Sequence, residues 1–341
     1  MGASPRVSVI MAVYNGERHL RAAMDSVLGQ TLGDLEFLVV DDGSTDATSE
    51  ILASYGDARV RVIRHDHEGQ TRALNRGVEL AQAPYLTRQD ADDISRPDRL
   101  EKQIAFLDHH EEVGVLGTGV TLIDEDGHRL RDYLYPTDHQ LLSARLNRCE
   151  NPLPHTTLTL RTTVMRKLGG YEPQFRKAQD FDLLLRAIER DRVASLAEPL
   201  CELRHSLNSA TFEGDNAEQL RWTLLAYLRA RVRREEGEDL LRIPDWPQLL
   251  TDYERWFSSS RYPRVFRASR ERRRARIAFG SKEYLKGIRA LAEALLYDPF
   301  WLPSKVGLTS PDTLVRDGLE WLHKSRPGGR PHVRNCGHPN A

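Results

Sequence analysis

Three carboxylates fall within four residues at Asp90-Ala91-Asp92-Asp93, directly after the apolar stretch that begins at Tyr85. Such a cluster is costly in a folded core unless positive charge sits against it. Like charges repel, so a bound cation accounts for the set best. Hard oxygen ligands select Mg²⁺ or Mn²⁺. A divalent ion on a loop after a strand can hold a diphosphate. The plainer alternative is a solvated acidic turn leading into a helix, for which Pro97 is a suitable first-turn residue.

The elements that must position this loop alternate in type. Val7 to Val13 is continuous, short and β-branched, as a buried strand should be. Tyr14-Asn-Gly16 breaks it, and a helix follows with Leu20, Met24, Val27 and Leu28 on one face. Leu35 to Val40 is a second strand, ending in Asp41-Asp42-Gly43-Ser44-Thr45-Asp46. Ser44 or Thr45 is expected to cap the helix carrying Ile51 and Leu52. Val60 to Ile63 is a third strand, Gly69 to Leu80 a helix, and Tyr85 to Thr87 a fourth strand. Alternation of this kind implies α/β architecture with a mainly parallel sheet flanked by helices. Ligands bind such sheets beyond the carboxyl ends of the strands. Tyr14, Asp41, Asp42, Asp90 and Asp92 all sit at those ends. The fingerprint G-x-G-x-x-G is missing after the first strand, which argues against a dinucleotide-binding domain.

Composition narrows the function class. The 341 residues suffice for one large or two smaller domains, and 40% are hydrophobic. Lys and Arg (49) nearly cancel Asp and Glu (50), so bulk charge gives no argument for nucleic acid. Cys149, Cys201 and Cys336 are odd in number and widely spaced, which suits a reducing cytoplasm rather than a disulfide framework. Neither a signal peptide nor a run of roughly 20 apolar residues is evident.

Taken in order, Val7-Ser-Val-Ile-Met-Ala-Val-Tyr-Asn-Gly16, Val39-Val-Asp-Asp-Gly-Ser-Thr-Asp46 and Asp90-Ala-Asp-Asp93 resemble the family-2 glycosyltransferases of the GT-A fold, over about residues 5 to 211. The resemblance implies a donor site for a nucleotide-diphosphate sugar, UDP foremost. It places Asp42 at the base and Ala12, Tyr14, Asp41 and Ala91 around the nucleotide. It matches Gly69-Gln-Thr-Arg-Ala-Leu-Asn75 to the segment that supplies a basic residue there, with Arg72 and Asn75. In D-x-D it puts Asp90 near the ribose and Asp92 on Mn²⁺ or Mg²⁺. The alternative for Arg72 is a surface helix residue.

Beyond the acidic loop, Arg96 to Leu107 reads as an amphipathic helix. Val113 to Leu116 and Val120 to Ile123 read as strands, and Asp126-Gly127 as a hairpin turn. Asn151-Pro-Leu-Pro-His155 is a rigid loop. Similar transferases carry a histidine there, near the active site, though a structural role is as good an account of His155. Gly169-Gly170-Tyr171 stops a helix. Gln179-Asp180 then starts a helix faced by Phe181, Leu184, Leu185 and Ile188. An acid at that place is stabilised by the helix N-terminus, so capping alone would explain Asp180. The family carries a Glu-Asp pair here whose Asp is the catalytic base, which the resemblance maps to Asp180, with Gln179 replacing the Glu. Asp182 reads as a supporting or capping residue. Leu203-Arg-His-Ser-Leu-Asn-Ser-Ala-Thr211 is similar to the family's aromatic-Arg-x-His tail, with departures. Arg204 fits and lines the site, Leu203 replaces the aromatic, and Ser206 takes the histidine place. His205 stands one residue early, and a one-residue slip in register would make it a metal or diphosphate ligand.

Residues 212–324 read as an Arg-rich helical extension and 325–341 as a disordered tail. The catalytic domain is 1–211, with its nucleotide half about 1–95 and its acceptor half about 96–211. Glu218-Gln-Leu-Arg-Trp222 is similar to a Q-x-x-R-W signature of processive synthases, but begins with Glu, and we read the match as coincidence. Eight arginines between Arg261 and Arg276, with Tyr262 and Phe266 among them, form either a solvated helix face or a patch for anionic lipid. Residues 275–299 look like one helical hairpin of the tetratricopeptide kind, which needs a surface to pack on.

The expectation is a cytoplasmic, metal-dependent, inverting glycosyltransferase, peripheral on the inner membrane face. Its acceptor would be a carbohydrate or a lipid-linked glycan of cell-surface assembly. Two alternatives differ in class. One is a non-catalytic nucleotide-sugar-binding or assembly protein working through its C-terminal helices. The other is a nucleotidyltransferase, whose Gly-rich phosphate loop is absent.

Overall fold

The computed structural model describes residues 4–204, 216–260, 262 and 311–325. His205, Ser206, Ser209 and Thr211, the arginines from 261 to 276, the hairpin at 275–299 and the tail from 326 lie outside the described residues. Contacts divide the chain into two units, Met1–Gly214 and Asp215–Ala341.

The first unit is α/β. Its elements run β1 (Val7–Val13), α1 (Leu20–Leu28), β2 (Leu35–Asp41), α2 (Thr48–Ala53), β3 (Val60–Arg64), α3 (Gln70–Leu80), β4 (Tyr85–Arg88) and β5 (Ile94–Ser95). They continue with α4 (Arg99–His109), β6 (Val113–Ile123), β7 (Arg129–Tyr133), α5 (His139–Leu146), β8 (Thr159–Arg161), α6 (Thr162–Lys167), α7 (Gln179–Ala187) and β9 (Arg192–Arg204). One sheet runs β3-β2-β1-β4-β8-β6-β9-β5, with β7 paired to β6.

The first four strands of that order are parallel, as the βα alternation requires. Every residue of β1 is buried, so it reads as a run rather than an alternation. α3 lies close over it: a Cβ at Gly77 would come within 2.5 Å of Ile10 Cγ2. From β8 onward the sheet is mixed, since β8 runs antiparallel to both β4 and β6 while β9 is parallel to β6. The chain leaves β1 toward β2 on one side and β4 on the other, which makes the β1 carboxyl end a switch point where clefts form. Val13 pairs with Asp41, so the Tyr14 and Asp42 loops leave the sheet side by side.

Local details depart from the sequence expectations in physically simple ways. Residues 113–123 form one strand, not two. Gly119 does not break it; a Cβ there would meet Tyr133 O at 2.9 Å and Glu198 O at 3.0 Å, so the glycine admits its neighbours while the register shifts. Neither Ser44 nor Thr45 caps α2: Ala47 holds the capping position without a side-chain bond, and Asp46 Oδ1 accepts Thr48 N–H (3.0 Å) in the turn that leads into it. Ser44 is drawn instead to the first loop, where its Oγ accepts from Asn15 N–H at 3.0 Å.

In the second unit, α8 (Asn216–Glu236), α9 (Trp246–Ser259) and α10 (Pro311–Ser325) pack on an aromatic cluster. Trp256 and Trp321 stack at 5.5 Å, and Tyr253 lies 5.4 Å from Trp321. Trp222 is buried and Arg221 pairs with Glu254 at 3.2 Å, so both are parts of this helical packing. Among the described residues, no helix is long and apolar enough to cross a membrane.

Candidate active site

The acidic loop leaves the end of β4 and is held from beneath by arginines. Arg88 is 2% exposed and pairs with Asp90, while its Nη1 donates to Ile10 O at 3.3 Å. Arg99, fully buried on α4, donates to Arg88 O (2.9 Å), Thr156 O (2.6 Å), Gln89 Oε1 (3.1 Å) and Ser95 Oγ (2.8 Å). One side chain thus ties both ends of the loop to the strand bed. Replacing it strands several buried acceptors, each costing about 1–3 kcal/mol. Arg99→Met is expected to lower the chemical-denaturation stability by about 3 kcal/mol or more, and an unchanged midpoint would contradict this role.

The three carboxylates are treated differently by the fold. Asp90 has Arg88. Asp93 accepts Arg204 N–H at 2.9 Å and is buried, so desolvation and its acidic neighbours hold its proton well above the usual carboxylate range. Asp92 is half-buried, and among the described residues no side-chain cation or donor bonds its carboxylate. Burial first, and then the charge of Asp90, push it up to about 6. The three do not form a cage. The convergent set among the described residues is Asp124, Asp126 and His128, in the exposed β6–β7 turn. Asp92 therefore suits a hard cation completed by water and substrate oxygens, as Mg²⁺ sites commonly are. Arg204, expected to line the site, clamps it: its guanidinium donates to Asp92 O (3.1 Å), Asp124 O (2.9 Å) and Glu125 O (2.8 Å).

The expected nucleotide side is ordered around Asp42. Its carboxylate is 2% exposed as a residue and accepts Glu68 N–H at 3.0 Å and Gly69 N–H at 2.9 Å. Asp41 closes its own turn, accepting Ser44 N–H (2.9 Å) and Ser49 O–H (2.7 Å). Tyr14 is 47% exposed and lies 4.1 Å from the His67 ring, inclined by 30°. Ala12 is buried in β1, opposite Val40. Ala91 lies beside Gly16, 3.7 Å from where a Cβ would be. Arg72 points to solvent, with Glu68 at 3.7 Å. Asn75 is engaged elsewhere: its Nδ2 donates to Tyr171 O (2.7 Å) and its Oδ1 accepts Tyr171 N–H (2.8 Å). That pairing gives Asn75 a positioning role.

Asp180 enters from the other half of the sheet. It lies in the first turn of α7, after Ala178 in the left-handed region (φ 56°). A non-glycine residue held there stores strain, which concentrates at functional sites. Asn151 Nδ2 donates to Asp180 Oδ2 at 2.7 Å, from the loop that also carries His155. Gln179 Nε2 donates to Gln70 Oε1 (2.9 Å), fastening α7 to the start of α3. Asp182 is not a cap but a buried ion-pair partner of Arg186 at 2.8 Å. His155 Nε2 meets the Tyr171 hydroxyl at 2.8 Å. Burial and then Arg88 lower the His155 pKa, while Asp180 and Asp90 act to raise it. One imidazole therefore feels the charges of both Asp90 and Asp180, and its own loop bonds both, because Thr156 Oγ1 accepts Asp90 N–H at 3.3 Å and Asn151 donates to Asp180.

Several of these residues carried no sequence signal. Arg88 and Arg99 read as ordinary helix or strand arginines, and only burial reveals their work. Asn151 and Tyr171 were legible as turn residues, not as partners of Asp180 and His155.

Comparison with known proteins identifies the family and the fold. The sequence profile of Glycosyl transferase family 2 matches residues 8–168. EpsE of Bacillus subtilis (strain 168), named as a glycosyltransferase, is 36% identical over 229 residues, covering 64% of this chain and 81% of EpsE. The O-antigen biosynthesis glycosyltransferase WbnJ of Escherichia coli is 31% identical over 185 residues, 53% of this chain and 71% of WbnJ. Among solved structures, S. aureus TarS (residues 1–349) with UDP-GlcNAc superposes with a TM-score of 0.54 at 17% identity, over 84% of this chain and 90% of TarS. The Pyrobaculum calidifontis mannosyltransferase PcManGT with GDP-Man and Mn²⁺ gives 0.52 at 15%, over 94% and 81%. The structural likenesses speak to the GT-A fold, the sequence likenesses to the family. The chain belongs to the family-2 glycosyltransferases, and is a glycosyltransferase built on the GT-A fold.

Proposed function

We propose that this enzyme moves a sugar from a nucleotide-diphosphate donor to an acceptor hydroxyl, with inversion, and that it needs Mn²⁺ or Mg²⁺. The observation that carries the reading is that one loop, residues 151–156, bonds both centres: Thr156 Oγ1 accepts Asp90 N–H at 3.3 Å, and Asn151 Nδ2 donates to Asp180 Oδ2 at 2.7 Å. Transfer breaks the bond between C1 and the diphosphate oxygen, whose electron pair leaves with the diphosphate. Positive charge builds on the sugar, as in glycoside hydrolysis. The acceptor oxygen bonds C1 and its proton passes to Asp180. Asn151 orients that carboxylate by its hydrogen bond. Asp92 would hold the metal, which when bound neutralises the departing diphosphate as a Lewis acid. Asp42 and Tyr14 would receive the nucleotide. TarS in complex with UDP-GlcNAc and PcManGT in complex with GDP-Man and Mn²⁺ support a nucleotide-sugar donor and a divalent ion.

WbnJ supports a place in surface-polysaccharide assembly. The acceptor in this reading is a glycan or a lipid-linked glycan on the cytoplasmic side. The arginines between 261 and 276 would then meet anionic headgroups; equal failure to float with anionic and neutral liposomes would sink that part.

The donor reading is tested by incubating the enzyme with UDP- and GDP-sugars and measuring nucleoside diphosphate release to water or a glycan acceptor. One donor should be consumed, and chelation of divalent ions should abolish release. Consumption that survives chelation would contradict the metal requirement.

A further inference from the structure

Tyr171 and His155 form a pair whose proton arrangement the structure fixes. Tyr171 is 3% exposed, and its hydroxyl hydrogen needs an acceptor. Among the described residues the one within reach is His155 Nε2, at 2.8 Å. The reverse arrangement, with Nε2–H donating, would leave a buried hydroxyl hydrogen without a partner. The rings meet edge to face at 73°, 5.3 Å between centroids, which suits an in-plane bond to the imidazole nitrogen. The main chain that carries the ring is held, because the Tyr171 N–H and C=O are both bonded to Asn75, and burial confines the ring itself.

With Nε2 occupied as an acceptor, the neutral ring carries its hydrogen on Nδ1. That nitrogen has no hydrogen-bond partner among the described residues, and His155 is half-buried rather than sealed. Its loop bonds both sides of the site, since Thr156 Oγ1 accepts Asp90 N–H at 3.3 Å and Asn151 Nδ2 donates to Asp180 Oδ2 at 2.7 Å, and the charges of Asp90 and Asp180 both act on the ring. During transfer the sugar must lie between the leaving diphosphate and the attacking hydroxyl. We propose that Tyr171 is a positioning residue that locks His155 in its Nδ1–H tautomer, so that this N–H donates to an oxygen of the transferred sugar. The sugar contact rests on the transferase reading given above; the tautomer does not.

Two measurements separate the halves. The first is ¹⁵N–¹H correlation of the histidine rings in the full chain, with His155 assigned by its loss in His155→Asn. The wild type should show the Nδ1–H form, and Tyr171→Phe should move the ring toward the Nε2–H form that water ordinarily favours. An Nε2–H form in the wild type overturns the lock, and an unchanged ring in Tyr171→Phe removes Tyr171 from it. The second compares UDP with UDP-N-acetylglucosamine, and GDP with GDP-mannose, each with Mn²⁺. His155→Ala should leave affinity for the bare diphosphate within twofold and weaken the sugar-bearing partner about tenfold. His155→Asn, whose amide N–H falls near Nδ1, should recover part of that loss. Equal losses with and without the sugar overturn the sugar contact. Failure of the wild type to bind any of the four would sink the donor reading and the sugar contact with it, while the ring spectra still decide the lock.

Discussion

Asp180→Asn is expected to lower sugar transfer by about 10²–10⁴-fold while leaving donor affinity within a factor of two. The loss corresponds to roughly 3–5 kcal/mol of transition-state stabilisation. The amide keeps the size and one acceptor of the carboxylate, so Asn151 Nδ2 retains a partner and α7 keeps its first turn. What disappears is the site that receives the acceptor's proton. The check is paired: initial rates with a saturating donor, and donor binding by calorimetry, on the same preparation. Capping alone would explain an acid at this place in a helix, and capping predicts a different result. Asparagine would then leave turnover near wild type, with a small change in stability.

Asp92→Asn carries the second large effect, and its two parts have opposite signs. Asp92 is pushed up to about 6, above the ordinary carboxylate range, by burial and by Asp90. A carboxyl whose folded pKa exceeds its unfolded value favours folding while protonated. That contribution is fully present below about pH 4 and is lost as pH rises through about 6. At neutral pH the ionised group therefore opposes folding by an amount on the order of 3 kcal/mol. Asparagine removes the charge, so the metal-free variant should melt several degrees above wild type at pH 7.5. The difference should shrink toward pH 4. With Mn²⁺ and donor present the order should reverse, because the variant has lost the ligand. Proton competition gives the companion effect in wild type: metal-dependent binding should weaken about tenfold per unit as pH falls below 6. A variant no more stable than wild type without metal would contradict the assignment of Asp92 as the uncompensated carboxylate.

Much of the nucleotide half was legible in the sequence because its signals are local. A parallel strand buried on both faces reads as an unbroken β-branched run, and Val7–Val13 does. The polar residues that follow such runs mark the carboxyl edge, so Tyr14, Asp42 and Asp90 came out together. The acceptor half was less legible because its sheet is mixed and its pairings are long-range. β9 runs from Arg192 to Arg204 with exposed polar residues and Pro199 in its course, and its pairing partners in β6 lie about eighty residues earlier. Periodicity does not reveal such a strand. The charge balance of the acidic loop was legible only as a problem. The sequence shows three carboxylates, but that Arg88 answers Asp90, that Asp93 is buried and holds its proton, and that nothing comparable answers Asp92 is a matter of folded geometry. Arg204 and Asn75, expected to line the site, are bonded to backbone groups. Each thereby shapes the loops that present other residues.

A thermal-shift panel tests the central claim most directly. UDP, GDP, dTDP and CDP would each be added with and without Mn²⁺ to wild type and to Asp92→Asn. A ligand at about 100 times its dissociation constant adds about 2.7 kcal/mol, several degrees for a domain of this size. The account predicts a rise in wild type with one nucleotide, dependent on Mn²⁺ and absent in Asp92→Asn. A rise of equal size in the variant, or one indifferent to Mn²⁺, would contradict a metal-held diphosphate at Asp92.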